Sequence, residues 1–141
     1  MTDPFLLRRF VDGQDAGATW SAALAELQVG SKRGHWMWFV SSQVAGLGRS
    51  AAAQHYAISG AREAAAYVAH PVPGPRLRAA TLALLAQTGS DAAAVLGAVD
   101  AQKLRSSMTL FRYVSGQDSC FADMLVRYVK GSRDPATLAR L

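Results

Sequence analysis

Apolar residues recur at the spacing i, i+4, i+7 in three separate segments of this chain, and polar or glycine residues bound each segment. This spacing places the three apolar residues on one face of an α-helix. Each segment follows a side chain that can cap free backbone amides, and each ends at a glycine. The three stripes are Trp20, Leu24 and Leu27; Leu104, Met108 and Phe111; and Phe121, Leu125 and Tyr128. The pattern predicts an all-α fold.

Similar start and stop signals divide the rest of the chain into short helices. Asp3 followed by Pro4 predicts a first helix that ends at Gly13. Further helices are expected from Ser50 to Ile58, from Ser59 to His70, from Pro75 to Gln87, from Gly89-Ser90-Asp91 to Leu96, from Asp100 to Gly116, from Asp118 or Ser119 to Gly131, and after Asp134-Pro135. We expect a single compact domain over residues 1–141, with about eight or nine short helices.

The length and the cysteine content narrow the class of protein. A chain of 141 residues can bury a sizeable core without a disulfide, and Cys120 is its only cysteine. The N-terminus lacks the charged and apolar regions of a secretory signal, and no apolar run reaches the length of a membrane helix. A bacterial-type cytoplasmic protein without a membrane partner is the expectation.

The net charge of +5 lies mainly in the second half of the chain. Residues 1–70 carry six Lys or Arg against five Asp or Glu, whereas residues 71–141 carry nine against five. This excess suits an anionic partner, such as a small phosphate compound or a nucleic acid, although a generically basic surface explains it equally well. Because no run of five basic residues occurs, a nucleic-acid arm is disfavoured. Oligomeric state stays open.

The sequence does not support a dinucleotide site, a zinc site or a nucleophilic cysteine. Residues 46–51 match the loose dinucleotide motif G-x-G-x-x-A, but that motif needs a strand before it and a βαβ unit around it. The three histidines are too scattered for a zinc site, and Cys120 lacks a cysteine partner. Cys120 lies near a predicted helix start, which can lower the pKa of a thiol, but no sequence feature places it at the surface, so a buried structural cysteine is preferred over a nucleophile. No metal and no cofactor is expected.

The tryptophan block (residues 32–48) is the first candidate for a functional segment. It holds Trp36, Trp38 and Phe39 within four positions, preceded by Lys32, Arg33 and His35 and followed by Gln43. A short buried helix is the preferred interpretation of its apolar run. The aromatic rings either belong to the core, with His35 or Gln43 accepting a ring N–H, or form a pocket wall with a basic rim.

The serine block (residues 103–111) is the second candidate. If this segment is helical, Lys103, Ser107 and Leu110 share one face, while Ser106 lies near Arg105. These hydroxyl and cationic residues exceed what a packing helix requires, although helix-end chemistry and solvated charge would also account for them.

Both blocks carry a resemblance to the DUF1810 family. The similar segments are Asp3-Pro4-Phe5, Arg9-Phe10-Val11, Ala25-Glu26-Leu27, Lys32-Arg33, His35-Trp36-Met37-Trp38-Phe39, Gly46-Leu47-Gly48, His70-Pro71, Gly74-Pro75-Arg76-Leu77 and Lys103-Leu104-Arg105-Ser106-Ser107-Met108-Thr109-Leu110-Phe111. The resemblance implies a compact all-α fold of bacterial proteins and no assigned activity. This chain has Ser41-Ser42-Gln43 where the family usually has Phe-Pro-Gln, and residues 98–101 depart from its Ser-Pro-Asp-Asp.

These observations favour a binding protein or enzyme for an anionic, nucleotide-like small molecule, with its site where the two blocks meet. Lys32, His35 and Arg105 would bind the anionic group, Trp36 or Trp38 would stack, and Gln43, Lys103, Ser106 and Ser107 would orient the ligand. His35 is the candidate general base if there is catalysis. The alternatives are a non-catalytic module that binds protein or nucleic acid through Arg127, Lys130, Arg133 and Arg140, and a purely structural role for both blocks.

Overall fold

The computed structural model describes residues 3–87 and 91–141, and these ranges are helical with no strand. The helices are α1 (Arg8–Asp15), α2 (Thr19–Val29), α3 (Met37–Val40), α4 (Ala51–His55), α5 (Ala61–Ala69), α6 (Pro73–Leu85), α7 (Ala92–Leu96), α8 (Ala98–Ser115), α9 (Cys120–Val129) and α10 (Pro135–Leu138). Four of these span only four or five residues. The predicted all-α fold is confirmed.

Several helices begin where the sequence predicts a capping side chain. The Ser50 hydroxyl accepts a hydrogen bond from the Ala53 amide at 3.1 Å, and the Asp91 carboxylate accepts one from the Ala93 amide at 3.0 Å. The hydroxyl of Ser119 caps α9 in the same way. Gly89 and Ser90, which belong to the predicted start of α7, lie outside the described residues.

The start of α1 differs from the prediction. Asp3 does bind free amides, those of Leu7 at 2.8 Å and Arg8 at 3.0 Å, but the helix begins only at Arg8. Leu6 has φ of 51°, a left-handed conformation that interrupts helical geometry between Pro4 and Arg8. Gly13 does not end the helix, which continues to Asp15.

The start of α8 also differs from the prediction. The helix begins at Ala98, directly after Gly97 with φ of 87°, so Asp100 lies inside the first turn and does not cap it. Its carboxylate is therefore available for contacts with other elements. At 18 residues, α8 is the longest helix in the described ranges and packs against α5, α7, α9 and α10.

Aromatic and methionine side chains form a continuous core around α8. The ring centroids of Tyr67 and Phe111 are 5.3 Å apart, and those of Phe111 and Phe121 are 5.7 Å apart. Leu104, Met108 and Phe111 are all buried, as their spacing predicts. No helix in the described ranges is both long and apolar enough to cross a membrane.

A buried polar network fixes the short helix α3 against this core. The Gln14 amide nitrogen donates to the Phe39 carbonyl and to the Tyr67 hydroxyl, and Arg76 donates to the Gln14 carbonyl oxygen at 3.2 Å. Arg76 also pairs with Asp15 at 2.7 Å. Four helices, α1, α3, α5 and α6, therefore meet at one set of side chains.

Candidate functional site

Lys32 joins the tryptophan block to α8. Its Nζ lies 2.6 Å from Asp100 Oδ2 and donates to the Gly34 carbonyl at 2.5 Å, while Lys103 Nζ lies 3.2 Å from the other Asp100 oxygen. Only 7% of the Lys32 side chain is exposed. Burial by itself raises the pKa of Asp100, but the hydrogen bonds from both lysines outweigh it and hold that pKa below the usual value of an aspartate. Lys32 thus has a charge partner within the fold.

Glu26 of α2 organises the turn that leads into α3. Its Oε1 accepts from the amides of Arg33 at 2.6 Å and Gly34 at 2.8 Å, and from the ring N–H of Trp36 at 3.1 Å. Trp36 is 2% exposed and belongs to the core. Its ring nitrogen therefore donates to Glu26, so the prediction of His35 or Gln43 as the acceptor is wrong for this tryptophan.

The Ser41-Ser42-Gln43 segment lies against the core. Ser41 and Ser42 are buried, and Ser42 hydrogen-bonds with the hydroxyl of Tyr67. The Gln43 carbonyl accepts from the Ile58 amide at 2.9 Å, next to an isolated parallel bridge between Val44 and Ile58. Burial raises the pKa of Tyr67. Ser41 and Ser42 therefore pack within the interior of the protein.

Arg105 and Ser106 hold the chain that precedes α10. Arg105 Nε donates to the Ser132 carbonyl at 3.1 Å, and its Nη2 donates to the Ser132 hydroxyl at 2.8 Å and to the Arg133 carbonyl at 3.0 Å. The buried Ser106 hydroxyl donates to Asp134 Oδ2 at 2.8 Å. Both predicted site residues therefore face the C-terminal segment.

Lys103 and Ser107 occupy the other side of α8. Residues two positions apart on an α-helix are separated by about 200°, so Lys103 and Arg105 point in nearly opposite directions. Ser107 is fully buried, and its hydroxyl has no hydrogen-bond partner in the described ranges. The structure thus brings Lys32 close to Lys103 and does not bring it close to Arg105.

The other residues singled out from sequence lie apart from these contacts. His35 is exposed on the turn before α3. The side chain of Trp38 lies outside the described part of the structure. Cys120 is partly buried at the start of α9, and burial raises the pKa of its thiol. The roles proposed for His35 and Trp38 stay predictions.

A cleft between α7, α8 and the end of α9, here called the Arg105 cleft, has a volume of about 280 Å³. Its walls include Ala92, Ala98, Ala101, Gln102, Arg105 and Tyr128. Below it lies a smaller space of about 20 Å³, here called the methionine recess, bounded by Leu104, Met108, Met124 and Leu125. Ala92, Ala101, Arg105 and Tyr128 border both spaces, so the recess continues the cleft inward.

Arg105, which lines this cleft, has guanidinium donors that the described residues do not use. An arginine has five N–H donors, and three of those of Arg105 are used by Ser132 and Arg133. Its Nη1 makes no hydrogen bond or ion pair with the rest of the described chain. Arg9 offers a contrast, because its five donors are all used, by the carbonyls of Phe5, Leu6, His55 and Ala57 and by Glu63.

A larger hollow of about 590 Å³ lies between the N-terminal segment and the end of α5. Its polar groups are already engaged: both Asp3 oxygens accept from α1 amides, and His70 Nδ1 accepts from the Val72 amide at 3.1 Å. Phe5 and Leu7 make most of its wall apolar. We therefore regard the Arg105 cleft as the better candidate site for an anion.

Sequence reasoning missed most of the lining of this cleft. Arg105 was singled out, but Ala92, Ala101 and Gln102 carry no chemical signal, and the spacing of Tyr128 marks it only as a core residue. The Tyr128 hydroxyl donates to the Leu84 carbonyl at 2.9 Å, which fixes its ring. Only the packing of α7 against α8 reveals that these residues share a surface.

Two of the basic residues considered for macromolecular binding are engaged within the fold. Arg127 donates to the carbonyls of Leu85 and Gln87 at the end of α6, and Arg140 donates to the Gly46 carbonyl at 3.2 Å. Lys130 and Arg133 are exposed on the loop between α9 and α10.

Comparison with known proteins agrees with this fold. The model of a family described as "Protein of unknown function (DUF1810)" matches residues 4–141, so the chain belongs to the DUF1810 family. The chain is also similar to a solved structure, the conserved hypothetical protein Rv1873 from Mycobacterium tuberculosis, at 42% identity and a TM-score of 0.94. That similarity covers 99% of this chain and 98% of the other. No curated protein matches.

Proposed function

We propose that this protein binds a small anionic molecule in the Arg105 cleft, with Arg105 as the anion contact. The observation that carries the proposal is a guanidinium at the cleft whose Nη1 has no partner within the described residues and whose Nε and Nη2 are held by Ser132 and Arg133. A donor fixed in advance loses little conformational entropy when a ligand binds. Apolar walls beside one convergent cation are typical of small-molecule sites.

This location replaces the one expected from sequence, between the two blocks. Lys32 is paired with Asp100, and Trp36 is a core residue, so neither is free to form a rim or a stacking surface. Arg105 is the member of the predicted set that combines positive charge, unused donors and an adjoining cleft. The ligand expected from sequence is anionic and nucleotide-like; the proposal keeps the anionic character, and mononucleotides are among the compounds to test.

The proposal concerns binding in a bacterial cytoplasm and includes no catalytic step. The single cysteine and the similarity to a mycobacterial protein support this setting. The exposed His35 is not among the residues that line the Arg105 cleft.

The test is a thermal-shift screen followed by calorimetry on the full chain. The compounds are mononucleotides, NAD, ADP-ribose, and aromatic and aliphatic carboxylates at millimolar concentration. We expect at least one anion to stabilise the wild type, and Arg105→Gln to lose that stabilisation while the matched exposed variant Arg133→Gln retains it. Because Arg105 also holds residues 132–134, circular dichroism must confirm folding, and Arg105→Lys offers a second variant that keeps the charge. If no anion binds the wild type, or if Arg105→Gln binds equally well, the proposal is wrong.

A second candidate is a non-catalytic module that binds nucleic acid or protein through the basic C-terminal half. The observation that favours it is the exposure of Lys130 and Arg133 on one loop. Binding to generic DNA or RNA that weakens steeply with salt, and that the double variant Lys130→Gln/Arg133→Gln removes, would support this function. Salt-independent binding, or none, would exclude the nucleic-acid form.

A further inference from the structure

We infer that the ligand of the Arg105 cleft is an amphipathic monocarboxylate whose apolar end enters the methionine recess. This inference rests on the proposed function, because it names the chemistry of the molecule that Arg105 binds. It is carried by the geometry of the free guanidinium edge, by the charges at the rim, and by the apolar recess behind them.

The free edge of Arg105 suits one carboxylate better than a phosphate chain. A fork contact needs two neighbouring guanidinium nitrogens, and every such pair includes Nη2 or Nε, which already donate to Ser132 and Arg133. The remaining two donors are both on Nη1, so a bound anion would accept hydrogen bonds from this one nitrogen. A ligand with several phosphates would require more donors than this edge provides.

The charge at the rim of the cleft also favours a single negative charge. Asp91 borders the cleft, and its Oδ1 accepts from the amides of Ala93 and Ala94. Among the described residues, one carboxylate and one guanidinium line the cleft, and Gln102 and Tyr128 are the other polar side chains of its wall. A multiply charged anion would be repelled by Asp91, and the described part of the wall offers no second cation to compensate.

The methionine recess gives the ligand a preferred apolar end. Its volume of about 20 Å³ accommodates one methyl-sized group, and the side chains of Leu104, Met108, Met124 and Leu125 offer a water molecule at most a weak thioether acceptor. Methionine side chains adapt their shape to a small apolar group. The fixed ring of Tyr128 lines both the cleft and the recess and provides a flat wall for an aromatic body.

The experiment compares four probes by calorimetry on the full chain: benzoate, 4-methylbenzoate, 4-methylbenzamide and AMP. We expect 4-methylbenzoate to bind about fourfold more tightly than benzoate, the gain from burying one methyl group. The neutral amide should bind at least tenfold more weakly than the carboxylate, and AMP should bind more weakly than 4-methylbenzoate. Arg105→Gln should remove the binding of both carboxylates.

The recess is tested with Ala101→Leu, which places a larger side chain where the cleft and the recess join. The matched control is Ala94→Leu on the exposed side of α7, outside both spaces. We expect Ala101→Leu to abolish the advantage of 4-methylbenzoate over benzoate and the control to keep it. If Ala101→Leu does not fold, Ala101→Val replaces it.

The outcomes separate this inference from the proposed function. Equal binding of benzoate and 4-methylbenzoate through Arg105, or a methyl advantage that survives the change at Ala101, would overturn the recess and leave the function intact. Tighter binding of AMP than of either carboxylate, lost in Arg105→Gln, would overturn the monocarboxylate and again leave the function. If none of these probes nor any anion of the wider screen binds the wild type, both fall.

Discussion

Lys32 Nζ lies 2.6 Å from Asp100 Oδ2, although 68 positions separate the two residues in the sequence. The contact fixes the chain after α2 to the first turn of α8, where Lys103 shares the same carboxylate. The Lys32 amide also donates to the Val95 carbonyl at 2.8 Å, so backbone and side chain act together. Lys32, at the start of the tryptophan block, thus connects two parts of the chain that are distant in sequence.

Asp100→Asn should therefore destabilise the protein by about 3 kcal/mol, because it leaves the nearly buried Lys32 ammonium without its charge partner. Urea unfolding at neutral pH measures this change. The matched control is Asp12→Asn, which breaks the exposed Arg8–Asp12 pair at 3.6 Å and should cost less than about 0.5 kcal/mol. Equal losses in the two variants would mean that burial does not strengthen the Lys32 pair.

Stability should fall at acid pH, and Asp100 should account for part of the loss. The folded-state pKa values of Asp100, Glu26 and Asp134 are lowered, since their hydrogen bonds outweigh the burial that raises them. A carboxyl group with a lowered folded-state pKa contributes stability above its unfolded pKa and loses it as pH falls through the folded value. The free energy of unfolding should therefore be nearly flat from pH 7 to about 5 and decrease below about 4.

The pH dependence of Asp100→Asn provides the check on this assignment. Because asparagine does not titrate, the variant should lose less stability than the wild type between about pH 5 and pH 3. Urea unfolding at a series of pH values compares the two proteins. Parallel pH profiles would show that Asp100 does not contribute.

Helical spacing predicted which residues face the core, because burial of one stripe per helix is a local property. Leu104, Met108 and Phe111 are buried as expected, and Ser50 and Ser119 cap the helices that follow them. The predicted start at Pro4 is wrong because Leu6 adopts a left-handed conformation. A leucine rarely adopts this conformation, so the sequence gives no reason to expect it there.

The candidate site was predictable only in part, because spacing assigns a residue to a face and does not identify its partner. Arg105 was singled out by its chemistry, yet its contacts with residues 132 and 133 join segments that are 27 and 28 positions apart. The acceptor for Trp36 lies on α2 for the same reason. Alanines form much of the cleft wall, because their small side chains leave space between α7 and α8. Such alanines do not form a recognisable sequence motif.

Gly74→Ala should be strongly destabilising, because a Cβ at this position would lie 2.3 Å from the Val68 carbonyl oxygen. That atom belongs to the backbone of α5, so relief requires the two helices to move apart, at a cost of about 2 kcal/mol or more. Gly60→Ala is the matched control, because its extended φ of 167° suits alanine and nothing lies within 4 Å of the added carbon. Thermal unfolding should separate the two variants clearly, and similar melting temperatures would contradict the close approach of α5 and α6.

Glu26→Ala should loosen the turn before α3. It removes the acceptor for the Arg33 and Gly34 amides and leaves the buried Trp36 ring N–H unpaired, at a cost of about 2 kcal/mol. Glu26→Gln keeps one carbonyl oxygen and should cost less. Urea unfolding gives the stabilities, and near-ultraviolet circular dichroism reports on tryptophan packing. An unchanged spectrum and stability in Glu26→Ala would refute the organising role of this carboxylate.

Ser106→Ala should destabilise the protein and Ser107→Ala should not, although the residues are adjacent and both are buried. The Ser106 hydroxyl donates to Asp134, so its loss removes a charge-assisted hydrogen bond and should cost about 1.5 kcal/mol. The Ser107 hydroxyl is desolvated without a partner in the described ranges, so its removal should be neutral or stabilising by up to about 1 kcal/mol. Urea unfolding of both variants decides the matter. A marked loss of stability in Ser107→Ala would mean that this hydroxyl has a partner in the folded protein, and a buried water molecule visible in a high-resolution crystal structure would then identify it.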